Sequence, residues 1–238
     1  MPDLAVIMGA TGGLGPAVVD AFATRGDRVI AVARSRSDVS QLASKYSSAS
    51  PASGGGQGGG IVIGDTADLT ARLEVDDLWE RIDRVGVPRW VVNLTGGYRG
   101  GKVVDSTPDD FTFMMDLNLG SAWWSCRAAA RRMKAGAIVN VSSRSGLLAE
   151  PGAAAYAVAK AGVITLTKVL AAELKTSGVR VNAIVPAVID TPLNRQSLPE
   201  KLIQKTVAPS EIAAVIAYLC SDAADAITGA AIPVYGKF

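Results

Sequence analysis

A three-layer α/β fold, with a seven-stranded, mainly parallel, doubly wound sheet and helices on both faces, is predicted by three features of the 238-residue sequence. Short Val/Ile-rich runs alternate with longer segments of helical spacing, the pattern of repeated βαβ units. Runs such as Ala-Ile-Val-Asn-Val at 137–141 are almost continuously apolar, as strands covered on both faces must be. No shift of composition divides the pattern, so residues 1–238 are expected to form one domain.

In chain order, apolar runs predict strands at 3–8, 28–33, 61–64, 89–94, 136–142, 179–185 and 231–235. The intervening segments predict helices at 13–25, 38–46, 70–85, 108–134, 154–177 and 209–221. The third helix has the clearest period, through Val75, Leu78, Ile82 and Val85. Residues 47–60 are rich in glycine and serine, the composition of a flexible surface connection. Residues 190–208, between the sixth strand and the last helix, are expected to form a short lid.

About half of the chain, 49%, is hydrophobic, enough for a substantial core. Twenty-four basic and 22 acidic side chains leave a net charge of +2, and their scatter argues against a nucleic-acid footprint. The N-terminal segment has no basic leader, and its apolar run is too short for a signal or a membrane span. Cys126 and Cys220 are too few and too far apart for a disulfide framework, so buried thiols and a cytoplasmic setting are expected. Histidine is absent, which excludes Ser-His-Asp and Cys-His nucleophile systems and histidine metal sites. No metal is expected.

Gly9, Gly13 and Gly15 stand between the first strand and the first helix. Glycines there let the backbone turn tightly and approach a pyrophosphate, whose charge a helix N-terminus stabilises. A tight turn alone also requires glycine, but the position after the first strand favours a dinucleotide. The second strand ends in Ala33-Arg34, with Arg36 close behind, where NAD-selective sites commonly carry an acid. A guanidinium holds a 2′-phosphate through forked hydrogen bonds, so NADP(H) is preferred and NAD(H) stays open; solvated arginines at a strand end are the bland alternative.

Ser143 follows the strand at 136–142, Tyr156 and Lys160 lie thirteen and seventeen residues beyond it, and Asn118 lies upstream. With the G-x3-G-x-G turn, this ordered set resembles the short-chain dehydrogenase/reductase family over essentially the whole chain. Val-Val-Asn-Leu-Thr-Gly-Gly (91–97), the segment from Val179 to Pro192, and Ile227 to Gly236 match further parts of that family. The resemblance implies a Rossmann fold and catalytic roles for Asn118, Ser143, Tyr156 and Lys160. It also implies that Asp65 contacts adenine, that Lys160 holds the nicotinamide ribose, and that Asn118 supports a water linking Lys160 to solvent. Implied cofactor contacts are Gly9, Thr11, Gly12, Gly13, Leu14 and Gly15 in the first turn. Asp65, Thr66, Asn93, Leu94, Thr95 and Gly96 follow at the third and fourth strands, and Pro186, Ala187, Val188, Ile189 and Thr191 beside the nicotinamide. Met8, Leu94, Thr95, Ala187 and Tyr235-Gly236-Lys237 depart from the family pattern, and none is a proton-transfer group.

The chemistry also follows from the residues. On a helix, i and i+4 share a face, so the Lys160 ammonium is expected to lower the pKa of the Tyr156 phenol. Such a phenol can protonate a carbonyl oxygen or take the proton back, while Ser143 hydrogen-bonds the same oxygen. Singly, Ser143 is also readable as a turn residue and Tyr156 as a helix aromatic.

The loops at 96–102 (Gly-Gly-Tyr-Arg-Gly-Gly-Lys) and 190–200 resemble those of dihydropteridine reductases, which reduce a quinonoid pterin. Ser143 and Arg34 instead favour ordinary carbonyl chemistry, broad or 3-oxoacyl reductase-like, with a small-molecule carbonyl or alcohol as partner. A dinucleotide-sensing protein is the non-enzymatic alternative. Tyr98, Ser145, Leu147, Leu148, Val188 and Leu193 are candidate pocket walls. Many alanines on the helices at 108–134 and 154–177, with the family resemblance, imply a homodimer or homotetramer. Trp123-Trp124 fits either an interface or the core.

Overall fold

The computed structural model describes residues 2–47, 60–148 and 150–237. Its strands are β1 (Leu4–Met8), β2 (Arg28–Ala33), β3 (Val62–Thr66), β4 (Trp90–Asn93), β5 (Gly136–Val141), β6 (Val179–Pro186) and β7 (Ala231–Val234). They form one sheet in the order β3-β2-β1-β4-β5-β6-β7, with every pair parallel. The helices are α1 (Gly15–Thr24), α2 (Arg36–Ser47), α3 (Arg72–Asp83), α4 (Pro108–Met115), α5 (Ser121–Ala130), α6 (Ala154–Glu173), α7 (Pro192–Ser197), α8 (Glu200–Ile203) and α9 (Pro209–Leu219). The Gly/Ser-rich connection expected at 47–60 lies, except at its two ends, outside the described residues.

Strand alternation sorts the core into two layers. On β1, Ala5 and Ile7 join Val18, Phe22 and Ile216 from α1 and α9. Leu4, Val6 and Met8 face the other way, toward Leu78, Trp79 and Ala129 from α3 and α5. Both faces are covered along the central strands, which is why these are mainly apolar rather than alternating. The tryptophan pair divides: Trp123 is 50% exposed, whereas Trp124 packs against the core.

The helix expected over 108–134 is interrupted. A π-turn at Asp116–Gly120 joins α4 to α5. A π-turn adds a residue to the helical repeat, so it re-aims the downstream side chains without breaking the apolar pattern read from sequence. The expected lid contains two short helices, α7 and α8, and its neck is closed by backbone bonds. Asp190 N donates to the Val207 carbonyl and Val207 N to the Val188 carbonyl, both at 2.9 Å.

A buried polar chain fixes β4, β5 and α6 together. Asn93 Nδ2 donates to Asn140 Oδ1 (2.8 Å), Asn140 Nδ2 to Thr167 Oγ1 (2.9 Å), and Thr167 Oγ1 to the Val163 carbonyl (2.8 Å). Satisfied polar groups of this kind specify one register where apolar packing alone would tolerate several. By length and composition α6 could cross a membrane, but it packs on β6 and buries Ala159, Val163, Ile164 and Leu170, as a core helix does.

Candidate active site

The strand order reverses between β1 and β4, and the crevice beyond the carboxyl ends of such strands is where open α/β sheets bind ligands. A cleft of about 190 Å³ lies there, lined by Gly9, Thr11, Gly12, Arg34, Leu94, Thr95 and Gly96 among others. The glycines are required by proximity. Gly9 has φ +81°, and a Cβ on it would lie 2.9 Å from Thr95 N. A Cβ on Gly15 would lie 2.1 Å from the Ala10 carbonyl oxygen, so α1 can start this close only from glycine. The α1 N-terminus has no side-chain cap, and Thr95 Oγ1 is buried in the cleft wall with no partner among the described residues. Open backbone donors and an orphaned hydroxyl fit the phosphates and polar edges of a dinucleotide.

Several expected cofactor contacts lie off the cleft. Asp65 is held by Arg81 in a fork at 3.0–3.2 Å, accepts the Thr66 N–H at 2.7 Å, and lies outside the cleft lining. Asp68, three residues on, stands in the cleft wall with Leu69 and Thr70. Both hydrogen bonds from Thr70, then the Arg34 charge, hold the Asp68 carboxyl below the usual range. Asp-Thr-Ala-Asp-Leu-Thr offers two aspartates, and only the end of β3 at Thr66 decides which one turns inward. Arg36, exposed like Arg34, donates to Thr66 Oγ1 at 3.2 Å and lies outside the cleft lining, whereas Arg34 stands in it. Asn93 is turned into the core, Leu14 is buried, and Gly13 lies against Thr191, whose Cγ2 would be 2.5 Å from a Cβ there. Pro186, Ala187, Val188 and Ile189 run from β6 to the lid neck and lie outside the cleft lining.

Beside the cleft, four expected residues converge. The π-turn aims Asn118 back at the β4 loop, where its amide brackets Gly97: Gly97 N donates to Oδ1 at 3.2 Å, and Nδ2 donates to the Gly97 carbonyl at 3.1 Å. Lys160 is 3% exposed, and its Nζ donates to the Val141 carbonyl at 3.0 Å. A Cβ on Gly96 would lie 2.7 Å from Asn118 Oδ1 and 2.9 Å from Lys160 Nζ, so both polar heads meet at that glycine. Ser142, not anticipated from sequence, donates to the Lys160 carbonyl at 2.7 Å and pins this turn of α6 to the end of β5.

Tyr156 is partly buried, and Ser143 lies close enough to its hydroxyl to favour the ionised phenol. Burial raises the phenol pKa, Ser143 opposes that, and neighbouring Tyr98 adds to the rise. This corrects the expectation that Lys160 lowers it: the ammonium points to Val141, with Nζ 5.8 Å from the phenol ring centre, and desolvation wins. Burial alone drives the Lys160 pKa down to about 8. Of the expected pocket walls, Tyr98 packs on Tyr156, and Ser145 donates to Glu150 Oε2 at 2.9 Å while its N–H donates to Ser143 Oγ at 3.3 Å. Leu147, Leu148 and Leu193 are exposed, and Val188 lies at the lid neck.

Comparisons with known proteins agree with this geometry. A family profile described as enoyl-(acyl carrier protein) reductase matches residues 9–236. A galactitol 2-dehydrogenase of Rhizobium johnstonii is 35% identical over 253 residues, covering 99% of this chain and 95% of the relative. A 3-oxoacyl-[acyl-carrier-protein] reductase of Pseudomonas aeruginosa is 30% identical, covering 98% and 96%. Among solved structures, a doubly substituted variant of a Serratia marcescens short-chain dehydrogenase/reductase superposes with a TM-score of 0.89 at 27% identity, covering 99% and 97%.

The buried Lys160 makes stability depend on pH. The unfolded chain, with an ordinary lysine pKa of 10.5, holds this proton more tightly than the folded one at about 8. The destabilisation is therefore full below about pH 8 and relieved as pH rises toward 10.5. Lys160→Met is expected to be more stable than wild type at pH 7, by at most about 3 kcal/mol, with the gap closing at higher pH. Denaturant unfolding across that range checks this; a variant less stable at pH 7, with no pH trend, contradicts it.

Proposed function

Because the chain belongs to the short-chain dehydrogenase/reductase family of NAD(P)-dependent oxidoreductases, we propose that it interconverts a carbonyl and a secondary alcohol, with Tyr156 as acid and base. A bound nicotinamide supplies or accepts the hydride. The observation that carries the reading is the junction of Ser143, Tyr156 and buried Lys160 beside the glycine-lined cleft.

In reduction, Tyr156 Oη gives its proton to the substrate oxygen, and burial keeps the phenol protonated until that moment. Ser143 donates a hydrogen bond to the same oxygen and so stabilises its developing charge. Lys160, whose ammonium turns to the Val141 carbonyl rather than to the phenol, is assigned to the nicotinamide ribose in this reading. In oxidation the same groups run in reverse: the phenolate removes the hydroxyl proton. Asn118 holds the Gly96-Gly97 corner that faces Lys160.

NADP(H) is the preferred cofactor in this reading, with Gly9, Thr11, Gly12, Thr95 and Gly96 along its path and Arg34 at the 2′-phosphate. Ala33 places no carboxylate at the strand end, and Arg34 offers a forked cation in the cleft wall. Polyols and 3-oxoacyl thioesters are the substrate classes that the named relatives bring to the test. We also assign a single domain, a cytoplasmic setting suited to two buried free thiols, and a homodimer or homotetramer that covers Trp123 and Phe113.

Two measurements test this. Tyr156→Phe is expected to bind NADPH normally but to lose roughly 10²- to 10⁴-fold in kcat/KM on a ketone that wild type reduces. Near wild-type turnover would remove the assigned acid. Arg34→Asp is expected to shift the NADPH-to-NADH ratio of kcat/KM toward NADH by roughly 10- to 100-fold; an unchanged ratio removes the phosphate clamp.

A further inference from the structure

Beyond Gly96 and Gly97, the Gly-Gly-Tyr-Arg-Gly-Gly-Lys stretch at 96–102 has no task in the chemistry above. It forms a flap between β4 and the start of α4, fastened at both ends. At one end the Asn118 amide brackets Gly97. At the other, Gly101 N donates to the Gly152 carbonyl at 2.8 Å and Ala154 N to the Gly101 carbonyl at 3.1 Å, which ties the flap to the start of α6. Between these ties, Tyr98 meets the Tyr156 ring edge to face, with centroids 5.1 Å apart and planes at 82°.

The flanking glycines are a condition of that contact. A Cβ on Gly97 would lie 2.9 Å from Leu117 Cδ2, and one on Gly100 would lie 3.1 Å from Tyr98 Oη and 3.2 Å from the Gly152 carbonyl. The back of the flap is held by Arg99, whose Nη1 donates to Asp110 Oδ1 at 2.6 Å and whose guanidinium lies 4.4 Å from the Phe113 ring centre. A cavity of about 50 Å³, lined by Arg99, Gly101, Asp110 and Ala155, lies behind it. The flap is therefore located by its ties more than by solid packing. Tyr98 itself remains 66% exposed, so its ring spends little on core burial.

We propose that Tyr98 is a positioning residue for Tyr156: its ring fixes the phenol ring and covers it from solvent, and Arg99 holds the flap that delivers it. This rests on Tyr156 being the proton-transfer group. An edge-to-face aromatic pair is worth enough to restrict the ring of Tyr156, whose hydroxyl must meet both Ser143 and the substrate oxygen. The groups around the phenol are Ser143 from the turn after β5, Lys160 from α6 and Tyr98 from the flap, with the Arg144–Glu150 pair (3.2 Å) next to Ser143. Removing the Tyr98 ring opens the phenol to water and takes away one of the two causes that raise its pKa.

The test compares Tyr98→Ala, Tyr98→Phe and Arg99→Gln. Tyr98→Ala is expected to lower kcat roughly 3- to 10-fold, more than it changes KM, and Tyr98→Phe to restore kcat. Arg99→Gln, which leaves both rings in place, is expected to reproduce part of the loss. Independently of turnover, the Tyr156 phenol is titrated by ultraviolet difference absorbance, each variant against the same variant carrying Tyr156→Phe. Its midpoint is expected to fall most in Tyr98→Ala, which removes both the cover and the Tyr98 hydroxyl, and less in Tyr98→Phe, which keeps the cover and removes only the hydroxyl. Unchanged kcat and midpoint in Tyr98→Ala, or a Tyr98→Phe no better than Tyr98→Ala, overturns the proposal. Activity surviving in Tyr156→Phe overturns the acid assignment instead, and the titration still reports whether Tyr98 acts on the phenol.

Discussion

The ammonium of Lys160, on a residue only 3% exposed, sits at the meeting point of β4, β5, the π-turn and α6, with the Val141 carbonyl as its acceptor. Burial is the sole cause of its depressed pKa, so no carboxylate offsets the cost. The surroundings are arranged around that constraint. Gly96 has no room for a side chain because Nζ and Asn118 Oδ1 occupy the space. Ser142 anchors the turn of α6 that carries Lys160, and the Asn93–Asn140–Thr167 chain locks the strands beneath it. An uncompensated buried cation is destabilising, and its retention at the mouth of a ligand cleft is what a functional site requires.

The same geometry explains why the phenol and the lysine do not tune each other as a simple i, i+4 pair. Along the helix they are neighbours, but Nζ turns toward β5 while Tyr156 turns toward Ser143 and the flap. Helical periodicity states that two residues share a face; it says nothing about which tertiary acceptor captures a flexible amine. Desolvation, a property of everything packed around the phenol, then outweighs one cation.

The parallel sheet was legible because buried strands leave a crude signal, long apolar runs at βαβ spacing, and every expected strand is present within a residue or two. Tyr156, Lys160, Ser143 and Asn118 were legible as an ordered set. The features hidden from the sequence depend on where the backbone turns. The π-turn at Asp116–Gly120 leaves no break in the apolar pattern, yet it is what aims Asn118 at Gly97. Asp65 and Asp68 differ by three residues, and the end of β3 gives one to Arg81 and the other to the cleft. Ser142 was hidden beside Ser143: two identical residues whose side chains do unrelated work, because alternation along the strand end turns them apart.

Gly9 brings the cleft wall up against Thr95 and Gly15 lets α1 start against Ala10, whereas Gly97 and Gly100 bring one aromatic ring to another. In both places the absent side chain is what allows a close approach. The charge at the centre of the site can be titrated directly. Carbon NMR of side-chain-labelled lysine, with Lys160→Met to assign the resonance, reads the ionisation of Nζ in the free enzyme. A midpoint near 8 is predicted; a midpoint near the ordinary 10.5 would contradict the buried, uncompensated cation around which the site is built.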